Sequence, residues 1–449
     1  MFDKEPFKDL YQMPTYKHFG GRPKLENLFT YVIDAENIKK HPFYPFIYFI
    51  KKYYRLDKKM HRFVVHKERK FCYSSPIDSC ILKYYSTLLS NKYEAYLLKE
   101  GLDKNIIAFR NRNNTQTNIK LAHIAIEAIK NTEDAYIIVS DLKNFFPSLE
   151  HGYLKQQVIK LLGTNGLPDD YYKVFKYITQ CPAVNLDTLI ALSDNPKQSR
   201  SSFNRSEQKL DLGELKRRKK GLIERNTKKI GLPQGLSISG VLANVYMMAF
   251  DEKLRDIAHR YNGMYMRYVD DIFLLLPAAT YKDFVREYHN LNNLAKTIPN
   301  ITLSSNKTKC LHYQNHAFHL MQKNDTAEQS NALFTEAEEK AVFSYLGFDF
   351  DGLHVRLRGS TICRYYTKMH RKIKTIIQCH GITQHKHRIN NRELYEHYSN
   401  HTQNPDTRNF LTYVQRAEDT FGKDELVNIT RKRHMGKIKK MLRKVQLED

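Results

Sequence analysis

Two adjacent carboxylates stand in the apolar stretch Gly-Met-Tyr-Met-Arg-Tyr-Val-Asp-Asp-Ile-Phe-Leu-Leu-Leu, residues 263–276. The β-rich runs on either side of Asp270 and Asp271 predict a hairpin with the polar residues at its turn. Neighbouring ionised carboxylates repel, so an apolar hairpin keeps them chiefly where a cation neutralises them. A plain surface turn is the competing reading, because Asp is a common turn residue. A third acid, Asp141, closes the β-branched run Ala135-Tyr-Ile-Ile-Val-Ser-Asp141, which predicts a buried strand. Three carboxylates from two strands meet the needs of two-metal phosphoryl transfer. One ion activates an attacking 3′-hydroxyl and the other holds a triphosphate and the leaving oxygen, with the ions roughly 3.5–4 Å apart. Hard oxygen ligands suit two Mg²⁺ ions.

Several elements must position these acids. Between them lies Gly231-Leu-Pro-Gln-Gly-Leu-Ser-Ile-Ser-Gly240. Its glycines and proline shape a tight path into a helix predicted over 238–254, whose N-terminus favours anions, and Gln234 could hydrogen-bond a nucleotide. Apolar spacing predicts further helices over 81–98, 119–130, 151–162 and 281–294, and a strand over 342–350. Residues 193–229, with Lys216-Arg-Arg-Lys-Lys220, read as an exposed insert, either a flexible loop or an extended basic hairpin. It is either a solvated charge run or a nucleic-acid contact.

Lys and Arg outnumber Asp and Glu by 73 to 48, a net charge of +25. Such a surplus suits a polyanionic partner, since neutralising phosphates releases counterions, and the Tyr- and Phe-rich composition suits stacking on bases. From Thr361 onward 19 basic residues face 9 acidic ones, a net of +10, ending in a basic helix predicted over 431–444. The six scattered cysteines form no Cys-x-x-Cys pair and read as reduced thiols. No apolar run approaches the roughly 20 residues of a membrane span, and the N-terminus lacks the order of a secretion signal. The expectation is a soluble, cytoplasmic protein.

Asp141-x-x-x-Phe-Phe, Pro233-Gln234-Gly235 and Tyr268-Val-Asp-Asp271, in that order, resemble the palm of reverse transcriptases. The resemblance implies an α+β right-hand polymerase fold: fingers and palm of antiparallel sheet plus helices, and a helical basic C-terminal thumb. The corresponding boundaries are 1–100 for an N-terminal extension and fingers, 101–350 for fingers and palm with the 193–229 insert, and 351–449 for the thumb. It implies an RNA-directed DNA polymerase with Asp141, Asp270 and Asp271 as catalytic metal ligands and the Leu142 carbonyl as a further one. Arg110, in Phe109-Arg-Asn-Arg112, and Lys307, in Asn306-Lys-Thr-Lys309, would neutralise triphosphate. Phe146 would gate the sugar in favour of dNTPs, Gln234 would position the nucleotide, and Tyr345-Leu346-Gly347 would form a primer grip. The implied partners are an RNA template, a dedicated non-coding RNA among the options, the DNA product and dNTPs, with a second protein of a defence operon and oligomerisation as further expectations.

The string Ser237 to Tyr246 is similar to bacterial relatives, and the insert to the defence-associated, abortive-infection group, implying an antiphage role. Retron- or intron-type enzymes, template-independent or protein-primed synthesis, and a catalytically dead nucleic-acid scaffold are the alternatives. The three intact acids argue against the last.

Overall fold

The computed structural model describes residues 11–21, 23–57, 62–110, 117–206, 210–324, 333–378, 391–399, 409–422, 436–441 and 443. A long antiparallel hairpin, β1 (Phe46–Asp57) and β2 (Arg62–Tyr73), is joined on its β1 side by a short parallel strand, β4 (Ala183–Asn185). The helix Pro76–Lys99 follows the hairpin; Pro76 opens it and the Ser75 hydroxyl accepts from the Asp78 amide, an N-cap in the preferred residue types.

The apolar runs around the acids form a six-stranded antiparallel sheet. Its strands are β3 (Asp134–Asp141), β5 (Met264–Tyr268), β6 (Asp271–Pro277), β7 (Lys309–Gln314), β8 (Ala317–Lys323) and β9 (Phe334–Ala341), in the spatial order β5-β6-β3-β7-β8-β9. The central strands lack polar alternation because helices or strands cover both faces. Tyr136, Ile138, Leu274 and Leu276 pack on the helix side, with Val241, Leu254, Phe284 and Leu291. Ala135, Ile137, Phe273 and Leu275 pack on the other, with Ile126, Phe343, Phe348 and Phe421. Each such fully buried aliphatic or aromatic side chain contributes about 1.5–3 kcal/mol.

The helices Asn118–Lys130, His151–Leu162 and Tyr281–Thr297 lie where apolar spacing predicts them. The helix predicted over 238–254 is instead two, Ser237–Tyr246 and Met248–Arg260, separated where Met247 leaves helical geometry at ψ 4°. The predicted strand over 342–350 is a tight hairpin, β10 (Phe343–Tyr345) and β11 (Phe348–Phe350), completed by β12 (Val355–Leu357).

The 193–229 insert is neither a loose loop nor a hairpin. Short helices at Arg200–Arg205 and Leu212–Arg218 seat Phe203, Leu215 and Leu222 in a small core with Ile47, Val184 and Ile190. Helices Gly359–Gln378, Asn391–Tyr398 and Phe410–Phe421 make up most of the described C-terminal part. Of the basic helix predicted over 431–444, residues 431–435, 442 and 444 lie outside the described residues. No described helix is long and apolar enough to cross a membrane.

Candidate active site

Register builds the site. Asp141 at the end of β3 lies directly opposite Asp271 at the start of β6, and Tyr268 also pairs with Asp271, leaving Val269-Asp270 as the hairpin turn. The Leu142 amide donates to the Asp270 carbonyl at 3.0 Å, tying the two acidic ends together. Carboxylate oxygens of Asp141, Asp270 and Asp271 all come within 4.8 Å of one another, each residue partly buried. Burial and the Asp141 carboxylate raise Asp270 above the ordinary carboxylate range. Burial, Asp270 and Asp141 push Asp271 up to about 6, against the pull of Lys307 and Arg358. Such mutual repulsion among hard oxygen donors is what a divalent cation relieves, so the donor set fits one.

Asp141 and Asp270 open onto a cavity of about 770 Å³. Phe146, Gln234 and Lys307 line it. Lys307 Nζ lies 2.6 Å from Asp141 Oδ2. Phe145 and Phe146 both line the cavity, Phe145 buried and Phe146 half-buried, with the Phe146 ring edge-on to Phe109 and centroids 6.3 Å apart. Phe109 in turn lies over Gly240, where any Cβ would come within 2.6 Å of the ring. Gln234 is held through its backbone, its carbonyl accepting from the Cys72 amide at 2.8 Å. Gly235 follows with φ 101° and a Cβ position 2.6 Å from the Cys72 carbonyl oxygen, so no other residue fits.

Two expectations need correction. The Arg110 guanidinium does not line this cavity. Its Nε donates to Glu94 at 2.7 Å, its Nη1 to the Asp103 and Ile106 carbonyls at 3.0 and 2.6 Å, and its Nη2 to Asp103 at 2.9 Å and to Glu94. With its side chain 3% exposed, Arg110 clasps the helix Pro76–Lys99 to the chain that follows it. Arg112 lies outside the described residues. At Tyr345-Leu346-Gly347, the Tyr345 side chain is core, packed on Phe273 and Phe343, so only the turn at Leu346 (φ 45°) and Gly347 (φ 97°) is offered as a grip.

Several cavity residues carry no motif. Lys67, Arg69 and Lys70 on β2 form one basic wall; Lys143, Arg225 and Lys228 stand elsewhere around it. Their signal was the charged run Lys67-Glu-Arg-Lys70 near the end of β2, legible only once β2 is placed beside Gln234. A buried clamp behind the acids was equally hidden. Arg267 pairs with Asp251 through two bonds of 2.7 Å, both side chains inaccessible, and Tyr265 donates to the same carboxylate at 2.6 Å. A further donor of Arg267 reaches the Val269 carbonyl at 2.9 Å, the residue before Asp270.

A mixed sheet-and-helix palm carrying three convergent acids is the architecture of a right-hand polymerase. Residues 76–350 match the family described as reverse transcriptase (RNA-dependent DNA polymerase). The chain belongs to that family. Among solved structures, apo telomerase from Candida Tropicalis, truncated from its C-terminal domain, is similar at a TM-score of 0.38 and 13% identity. That alignment covers 68% of this chain, which spans 54% of the telomerase chain. No curated protein matches the chain.

Proposed function

We propose that this chain is an RNA-directed DNA polymerase of bacterial antiphage defence, extending a primer with dNTPs. The observation that carries the polymerase reading is the convergence of Asp141, Asp270 and Asp271 beside a basic cavity lined by Phe146 and Gln234. The three carboxylates, with the Leu142 carbonyl, would hold two Mg²⁺ ions, which when bound supply charge neutralisation at the reacting phosphate. Lys307, Lys67 and Arg69 neutralise the triphosphate from the cavity walls. The Phe146 ring occupies the space that a 2′-hydroxyl would need. The Leu346-Gly347 turn supports the primer end, and the basic C-terminal helices follow the duplex backbone, with a dedicated RNA as template. The defence role rests on the likeness of residues 237–246 to bacterial relatives and of the insert to the defence-associated group.

The test is incorporation of labelled dNTPs with Mg²⁺ on a primed RNA template. Asp270→Ala should abolish product and also abolish protection in a phage plating assay. Template-free product, or label that stays on the protein through phenol extraction, would replace the templated reading with self-primed synthesis. Absence of incorporation under every condition leaves a binding scaffold.

A further inference from the structure

The basic run Lys216 to Lys220 is not consumed by the active site, yet it is held on an ordered platform. Leu215 before it and Leu222 after it are both buried in the small core around Phe203. Arg218 is engaged, with Glu214 at 2.7 Å and the Leu192 carbonyl at 3.1 Å. Among the described residues Lys216, Arg217, Lys219 and Lys220 make no ion pair and all are exposed. The chain beyond them is sewn to the sheet edge. Glu224 exchanges two backbone hydrogen bonds with Ala183, at 2.8 and 2.9 Å, and the Asn226 amide donates to the Gln180 carbonyl at 2.7 Å. Arg225 and Lys228 then stand in the wall of the cavity that contains Asp141 and Asp270. Residues 216–229 thus hold eight Lys or Arg against one Glu, a net of +7 within the chain's +25.

A solvated charge run has no reason to be pinned at both ends and to lead into a catalytic cavity. We infer that residues 216–229 form a track for single-stranded nucleic acid, the template strand on its way to the acids; this rests on the polymerase reading. Fourteen residues of chain reach at most roughly 50 Å, a length suited to the 4–16 or so nucleotides that single-strand grooves hold. The β2 wall, joined to this segment where Lys70 pairs with Glu224 at 3.4 Å, adds the second ingredient of single-strand recognition. Tyr53 lies between Lys51 and Arg69, with cation-to-ring distances of 5.5 and 5.6 Å, and Arg69 itself lines the cavity. Aromatic faces beside cations take bases by stacking while the cations take phosphates.

The test compares wild type with Lys216→Ala, Arg217→Ala, Lys219→Ala, Lys220→Ala combined, which spares Arg218 and every cavity residue. Two primed RNA templates are used: one with a single-stranded 5′ extension of about 15 nucleotides, one ending at the templating base. On the extended template KM should rise roughly tenfold, and the salt slope of binding should fall by up to about 3, from 0.7 per lost phosphate contact. On the short template KM should not move, and the variant's melting temperature should match wild type. An equal loss on both templates, or none on either, overturns the track. Anisotropy with a fluorescein-labelled unstructured RNA gives a readout independent of synthesis. If wild type makes no DNA, the polymerase reading fails, while weaker RNA binding by the variant still supports the track. Polyglutamate binding as tight as RNA binding would reduce the surface to a general polyanion site and refute the assignment.

Discussion

Val269 adopts φ 61°, a left-handed conformation that a β-branched residue strongly avoids and that costs on the order of 1–3 kcal/mol. It sits immediately before Asp270, so whatever enforces that turn also aims one of the three convergent carboxylates. The Arg267 donor to the Val269 carbonyl does so, and Arg267 is itself fixed by Asp251 and by Asn244 at 3.2 Å. Removing either partner of a buried pair costs about 3–5 kcal/mol, so an alanine here would report mostly on folding. Arg267→Lys keeps the charge but loses the planar fork that serves Asp251 and Val269 together. We expect kcat to fall by ten- to hundredfold or so, as roughly 1 Å misplacements do, with dNTP KM changing less. A drop in melting temperature with kcat intact would show Arg267 to be merely structural. Phe146 supports a separate prediction: Phe146→Ala should admit rNTPs, and unchanged sugar discrimination in a misincorporation assay would remove it as the gate. The acids were legible because they break an apolar, β-branched context, whereas Phe146 came only with the family resemblance, since nothing in a Phe-Phe pair says which ring serves a site. Arg110 misled because its partners, Glu94 and Asp103, are set by helix packing rather than by spacing in the chain.

Elements whose apolar period matches their burial, such as β3 and the helix His151–Leu162, were readable from residues alone. The insert was not: its core is made of Phe203, Leu215 and Leu222, widely spaced in a polar stretch and completed by β1 and β4. The N-terminal segment was similarly opaque, yet it packs its buried His18 against the end of β2. Burial pushes the His18 imidazole down to about 4; Nε2 faces the Tyr73 carbonyl at 3.3 Å while Nδ1 has no hydrogen-bond partner among the described residues. The titratable neighbours Tyr16 and Tyr73 have both been raised by burial, so neither offers a charge to stabilise an imidazolium. An unfolded His18 would titrate near 6.5 or so, so between that pH and 4 the unfolded state binds the extra proton. Its contribution is therefore complete above the unfolded value and is lost as pH falls through 4, reaching about 3 kcal/mol. Thermal melts from neutral to acidic pH should show His18→Phe to be less acid-sensitive than wild type, and parallel curves would exclude His18 as the source.

At the scale of the whole molecule, the proposed function divides the positive charge between two surfaces that would meet different forms of nucleic acid. One is the insert track. The other is the helix Gly359–Gln378, whose Tyr365, Met369, Ile373 and Ile376 are buried while Arg364, Lys368 and Lys374 are exposed on its outer side. An apolar stripe at i, i+4, i+8 and i+11 anchors that helix and leaves its cations to solvent, a geometry suited to phosphates of a double helix. If this helix follows the duplex product, Arg364→Ala, Lys368→Ala, Lys374→Ala combined should weaken binding of a blunt RNA–DNA hybrid and lower its salt slope by about 2–3, from 0.9 per contact. Binding of an unpaired RNA should be unaffected, the reverse of the pattern expected for the insert variant. Because the two surfaces share no residues, combining the two sets should give additive losses in free energy of binding, within about 0.5 kcal/mol, on a primer–template carrying both forms. Equal weakening of hybrid and single strand by either set would mean that the charge acts as one undivided field, since only local phosphate contacts can separate the two substrates.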